Sequence, residues 1–269
     1  MKAFVVDLSV CNGCYCCQIA CKDEHVANEW APYAKPQPDY GQFWLKIKET
    51  VRGTVPKVKV SYIPNLCTHC DDAACMKACK VDAIYRREDG MVIIDPAKCT
   101  GCKLCPDACP SQSIYFSDDL NIAQKCTGCS HLIDDGWDVP RCVDSCPTEA
   151  LRYGEESELK ELIGKSEPYD NGCGTGRVYY LDLPKKFVAG TVYDPAEREV
   201  VIGATCTLKD QDGASHVVET DNYGDFWFNG LPDGHNYSLE IKKGSTTKTL
   251  DKISTELDVN LGDIAMRLL

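Results

Sequence analysis

Two regimes of apolar and polar patterning divide the 269 residues. From about Phe187 onward the runs FVAGTVY, VIGATCTL, SHVVET, DFWFNGL, YSLEIKK and TELDVNLGDIAMRL alternate apolar and polar positions, separated by KDQDG, DNYGD and LPDGHN. Successive side chains on a strand face opposite ways, so this alternation predicts short half-buried strands between polar turns. Strands of this length and spacing predict an all-β sandwich of about seven strands. Cys206 falls inside one of them and is expected in its core. Before Phe187 the apolar runs are brief and broken by cysteine-containing turns. GMVIIDP reads as a strand, SIYFSDDLNIAQKC as a strand pair and RVYYLDL as another strand. Residues 153–186 read as a linker, with an acidic helix candidate from Glu155 to Gly164 and the turn-rich SEPYDNGCGTG. No run approaches the roughly 20 apolar residues that cross a bilayer. No signal-like apolar stretch precedes the first cysteines.

Cysteine usage changes the picture most. There are 19 cysteines, and 16 fall into four motifs between Cys11 and Cys146. Disulfide scaffolds are usually short chains without a core, and many of these cysteines are too close in sequence to pair with one another. The motifs are Cys11, Cys14, Cys17, Cys21; Cys67, Cys70, Cys75, Cys79; Cys99, Cys102, Cys105, Cys109; and Cys126, Cys129, Cys142, Cys146. A cubane cluster needs thiolates at four corners. A tight turn with a cysteine at every third residue wraps three of them, while its N–H groups face the sulfides. CTGCKLCPDACP matches the ferredoxin run C-x2-C-x2-C-x3-C-P throughout; in that run the fourth cysteine serves the other cluster. The rival reading is zinc, for which CNGC, CTHC and CTGC each offer half a site, but the triple-plus-one spacing is not a zinc habit.

Under the exchange rule the second and third motifs pair, as do the first and fourth. Four [4Fe-4S] clusters are then expected, the first on Cys11, Cys14, Cys17 and Cys146 and the second on Cys126, Cys129, Cys142 and Cys21. The third uses Cys67, Cys70, Cys75 and Cys109, and the fourth Cys99, Cys102, Cys105 and Cys79. The same sixteen cysteines are the expected metal ligands. Cys16 reads as a packed thiol, Cys173 as a free surface thiol, and His69 as a hydrogen-bonding or packing residue beside a cluster. The expected fold is α+β: a four-cluster iron–sulfur domain at 1–152 holding two ferredoxin-like units, a linker at 153–186, and a seven-stranded sandwich at 187–269.

The net charge of −12 and pI near 4.9 disfavour nucleic acid, whose phosphates need clustered cations. GCGTG lacks the strand-to-helix setting of a phosphate loop. Asp23, Glu24 and His25 read equally as an acid–base cluster or a solvated helix face. Trp30, Tyr33, Phe43 and Trp44 form an aromatic, proline-rich insertion that suits either a partner interface or core filling. No serine–histidine–acid arrangement is apparent, and no active site of the chain's own is expected.

The four-motif order resembles that of the iron–sulfur (β) subunits of the dimethyl-sulfoxide-reductase family of molybdopterin oxidoreductases. CKDEHVANEWAPY, YRREDGMVIIDP, AQKCTGCSHLIDD, RVYYLDL and the C-terminal strands are similar to its branch acting on polyhydroxylated aromatics, the transhydroxylases, resorcinol hydroxylases and catechol dehydroxylases. GTVYD, GATCTL and TDNYGDFWFNGLPDGHNYSLEI resemble the transthyretin-like, carboxypeptidase-regulatory sandwich, usually a structural module. The resemblance implies an electron-transfer subunit for a large molybdopterin-binding catalytic subunit containing molybdenum or tungsten. The clusters of the first and fourth motifs would lie nearest that subunit, and the others would face an external electron donor or acceptor. Transhydroxylase small subunits lack several ligands in the second and third motifs, which are complete here; this raises the expectation of net oxidation or reduction. A subunit of an anaerobic respiratory reductase and a free polyferredoxin shuttle are the alternatives. The expected compartment is the cytoplasm, or outside it by co-export with a partner carrying the signal.

Overall fold

From the N-terminus the chain runs β1 (Lys2–Asp7), α1 (Cys16–His25), a hairpin of β2 (Leu45–Thr54) and β3 (Lys57–Leu66), α2 (Ala74–Ala78), β4 (Ile84–Arg86), β5 (Val92–Ile94) and α3 (Leu104–Ala108). Then come β6 (Ile114–Ser117), β7 (Ile122–Lys125), α4 (Ser130–Asp134), α5 (Arg141–Asp144), β8 (Leu151–Glu155), α6 (Lys160–Ile163) and β9 (Val178–Leu181). The computed structural model describes residues 1–211 and 213–268. It divides into one unit of Met1–Glu49 with Tyr62–Leu183 and another of Thr50–Ser61 with Pro184–Leu269. No helix among the described residues is long and apolar enough to cross a membrane.

In the first unit β1 is the middle strand of a sheet, antiparallel to β8 and parallel to β9. Middle strands are covered on both edges, and Ala3, Phe4, Val5 and Val6 are all fully buried. The hairpins β4–β5 and β6–β7 each lead from one cysteine motif to the next. Helix α1 packs against α5, and α2 against α3, which brings the first motif to the fourth and the second to the third. One apolar cluster gathers Phe4, Val6, Leu45, Leu66, Met91, Ile93, Leu151 and Tyr180 around Cys17, Cys21, Cys67, Cys126 and Cys142. A second gathers Ile84, Val92, Ile94, Ile114 and Ala123 around Cys105. Seven of the sixteen motif cysteines are buried and seven partly buried, while Cys14 and Cys102 are exposed.

The second unit continues with β10 (Lys186–Asp194), β11 (Glu199–Val200), β12 (Thr205–Asp210), β13 (Ser215–Glu219), β14 (Asp225–Leu231), β15 (Asn236–Lys243), β16 (Thr246–Ser254) and β17 (Val259–Ala265). Strand β10 pairs antiparallel with β11 and β14 and parallel with β17; the other sheet runs β13-β12-β15-β16. Val188, Val192, Leu208, Phe226, Phe228, Leu239, Ile241 and Ile264 build its core, and Cys206 is fully buried among them.

Three local differences from the sequence reading have physical causes. Only Lys160–Ile163 of the acidic stretch is helical, because Leu151 to Glu155 is already committed to the sheet with β1. The long β2–β3 hairpin was hidden within the insertion, and its tip, Thr50–Ser61, clusters with the second unit. Strand β16 falls outside the alternating runs because its Thr and Lys side chains are mostly exposed, as befits an edge strand.

Candidate metal centres

Every motif opens with the same backbone turn. The second residue after the first cysteine is left-handed in all four, with φ of 68° at Gly13, 47° at His69, 73° at Gly101 and 63° at Gly128. A further left-handed residue follows at Tyr15, Lys103 and Cys129. Alternating handedness turns successive N–H groups inward and forms a concavity for an anion, the device used around iron–sulfur clusters. His69 N donates to Cys67 Sγ at 3.5 Å and Gly128 N to Cys126 Sγ at 3.4 Å. A Cβ on Gly101 would stand 2.5 Å from Asn121, and one on Gly13 2.4 Å from the Tyr62 ring, so these turns exclude side chains. His69 escapes that exclusion by turning its ring into the core, where Nδ1 accepts the Val92 N–H at 2.9 Å. That bond leaves the ring proton on Nε2.

The motif ends repeat as well. Three residues beyond Cys79, Cys109 and Cys146 stand Asp82, Gln112 and Glu149, all left-handed. The thiols meet local donors: Ala83 N at 3.3 Å from Cys79 Sγ, Ser111 Oγ at 3.4 Å from Cys109 Sγ, Thr148 Oγ1 at 3.9 Å from Cys146 Sγ. Hydrogen bonds to a sulfur stabilise its thiolate.

Electrostatic contacts show which thiols are neighbours. Cys17 feels Cys146, Cys11 and Cys14; Cys142 feels Cys129, Cys21 and Cys126; Cys75 feels Cys67 and Cys109; Cys105 feels Cys99 and Cys102. A small apolar pocket is lined by Cys79, Cys99, Cys102 and Cys105 together with Ile84, Ile94 and Phe116. Among the described residues no group of three or more such donors is placed to hold a single metal ion. Burial raises the thiols of Cys17 and Cys105 to about 12 and Cys75 to about 11, and it lifts Cys21 and Cys142 well above the ordinary thiol value. Neighbouring thiols add to each rise, since four negative charges in a dry volume repel. Such a donor set becomes thiolate only when cations compensate it, which is what four ferric and ferrous ions supply.

The quartets also touch in sequence. Cys142 feels Cys17, Cys126 feels Cys67, and Cys105 feels Cys75. Thiols of the first and fourth, the fourth and second, and the second and third motifs are thus neighbours.

Some residues at the site escaped the sequence reading. Lys125 is 2% exposed and donates to the carbonyls of Val92 and, at 2.9 Å, Cys126. His25 is buried, with Nε2 3.9 Å from Cys129 Sγ and its ring against Trp44 at 4.5 Å between centroids. Trp30 stacks on His131 at 4.4 Å, and His131 hydrogen-bonds Glu24 at 3.0 Å. Burial lowers His25 to about 3, with His131 adding to the effect, so its imidazole is neutral. Glu24 and His25 thus face the second quartet and the insertion rather than open solvent. Cys173 lies within hydrogen-bonding reach of Cys70 and Ser111, at the rim of the third quartet rather than free on the surface. Cys16 is exposed beside Cys14.

Comparison with known proteins agrees with this chemistry. A 4Fe-4S dicluster domain matches residues 58–156, and a carboxypeptidase regulatory-like domain matches 188–267. The pyrogallol hydroxytransferase small subunit of Pelobacter acidigallici is 35% identical over 94% of this chain and 96% of its own. The arsenate respiratory reductase iron-sulfur subunit of a Shewanella species is 31% identical over 70% of this chain and 98% of its own. A subunit of the Escherichia coli anaerobic dimethyl sulfoxide reductase is 34% identical over 60% of this chain and 77% of its own. With 4Fe-4S chemistry in its first unit and a regulatory-type sandwich in its second, the chain belongs to the family of iron–sulfur subunits of dimethyl-sulfoxide-reductase-type molybdopterin oxidoreductases.

Proposed function

We propose that this chain is a four-cluster electron relay serving a large molybdopterin catalytic subunit that acts on a polyhydroxylated aromatic. Each [4Fe-4S] cluster, when bound, supplies a one-electron site whose potential is set by its hydrogen bonds and burial. The first is assigned to Cys11, Cys14, Cys17 and Cys146, and the second to Cys21, Cys126, Cys129 and Cys142. Cys67, Cys70, Cys75 and Cys109 take the third; Cys79, Cys99, Cys102 and Cys105 take the fourth. The protein's part is to exclude water, present N–H and hydroxyl donors to the sulfurs, and hold the quartets next to one another.

The observation that carries this reading is the unbroken line of neighbouring thiols, from Cys17 to Cys142, Cys126 to Cys67 and Cys75 to Cys105. A lone storage or structural centre would need no such line. The aromatic substrate class is supported by the likeness to the pyrogallol hydroxytransferase small subunit, which extends through the C-terminal sandwich, whereas the reductase subunits cover less of the chain. Anaerobic iron assay of a Cys102→Ser variant tests the ligand assignment. It should lose about four of roughly sixteen iron atoms; retention of all of them would refute it. The complex isolated from its source should contain molybdenum or tungsten and turn over a polyhydroxylated benzene. A stable free monomer in cell extract would favour the shuttle instead.

A further inference from the structure

Between the second and third quartets the fold buries one ammonium group. Lys125 ends β7, a strand buried at all four positions, and its side chain cannot reach solvent. Two of its protons go to the carbonyls of Val92 and Cys126. Cys126 belongs to the second quartet; Cys67 and Cys75 belong to the third, and all three sulfurs feel this charge. An isolated buried ammonium is costly unless anions compensate it. Among the described residues no carboxylate forms a salt bridge with Lys125, so the sulfurs are its counter-charge. Arg86, the other cation near the third quartet, is occupied with the carbonyls of His69, Cys70, Asp71 and Gly90.

We propose that Lys125 is an electrostatic bridge at the junction of the two cluster pairs, holding the second and third clusters at higher potential than their ligands alone would set. The inference rests on the four-cluster reading. Each cluster gains negative charge when reduced, and a fixed cation nearby favours the reduced form. Placed between two clusters, one cation stabilises the electron on either side of the step that joins the pairs. It thereby keeps that step from becoming the uphill one in the line.

The test is an EPR-monitored redox titration of the intact complex carrying Lys125→Met or Lys125→Gln. Glutamine keeps a donor for the two carbonyls while removing the charge. Both variants should retain about sixteen iron atoms. In both, two of the four clusters should become about tenfold harder to reduce, a fall of ~59 mV for a one-electron couple, with the outer two moving less. Lys125→Arg should restore the higher potentials. Unchanged potentials at full iron content, or equal shifts in all four, would overturn the proposal. Should the neutral variants lose a cluster, pulsed EPR of the unmutated complex labelled with 15N-lysine provides the second arm. A lysine nitrogen coupled to the reduced clusters is expected, and its absence overturns the bridge. Fewer than about sixteen iron atoms in the unmutated complex would instead defeat the underlying cluster reading.

Discussion

At the scale of single residues, the quartets depend on positions that tolerate no side chain. Gly101 combines φ of 73° with a Cβ position 2.5 Å from Asn121, so Gly101→Ala meets both backbone strain of about 1–3 kcal/mol and a clash with backbone. It should remove about four iron atoms from the chain. Gly41, also left-handed but facing open space, is the control, and its alanine variant should keep its iron. The same comparison explains what a sequence reveals at this scale. Ligand cysteines are legible because a short turn can place them around a cluster at few spacings. The burial of Lys125 and of His25 was not, because it follows from which strand or helix covers them, whereas His69, read as a hydrogen-bonding or packing residue, does accept the Val92 N–H. The lysine of AQKC reads as an ordinary surface cation until β7 is found buried throughout. His69 stands where the other motifs carry glycine, which was a readable signal of an unusual backbone. Removing its ring in His69→Ala leaves the buried Val92 N–H without an acceptor, and thermal melting should show a loss of about 1–3 kcal/mol with the ligands untouched.

Among elements, the β2–β3 hairpin and the insertion before it carry the contacts that the alternation along the sequence did not announce. The hairpin tip joins the second unit through Arg52, which donates to both oxygens of Asp258 at 3.3 Å and to the Lys185 carbonyl at 2.9 Å. Asp258 also accepts the Phe187 N–H at 3.0 Å. Asp258→Ala should therefore destabilise the second unit by about 2 kcal/mol, readable as an earlier melting transition with unchanged cluster absorbance. In the insertion, Tyr33 donates to Asp134, whose two oxygens also accept from Arg87 at 2.7 and 3.1 Å. The Arg87 guanidinium, with help from Tyr33, holds Asp134 below its ordinary value of 3.8. A carboxyl lowered by folding adds stability above its unfolded pKa and loses it as pH falls through the folded value. Asp134 is 41% exposed, so the contribution is about 1 kcal/mol or less. The melting gap between the unmutated protein and Asp134→Asn should stay constant from about pH 5 to 8; a gap that changes within that range would contradict the assignment. The sandwich strands were readable wherever one face was buried, and β16 was missed because its alternation is between Thr and Lys rather than between apolar and polar.

For the whole molecule, the proposal on which the rest depends is that sixteen thiols of one unit, seven of them buried, enclose four clusters in a line. Packing of α1 against α5 and of α2 against α3 brings the first motif to the fourth and the second to the third, and the same left-handed turn recurs in all four motifs. The most direct measurement is the iron, acid-labile sulfide and zinc content of the full chain isolated without oxygen. About sixteen iron and sixteen sulfide per chain, with no stoichiometric zinc, is the predicted result. Stoichiometric zinc, or iron at half that level or less, would contradict the account.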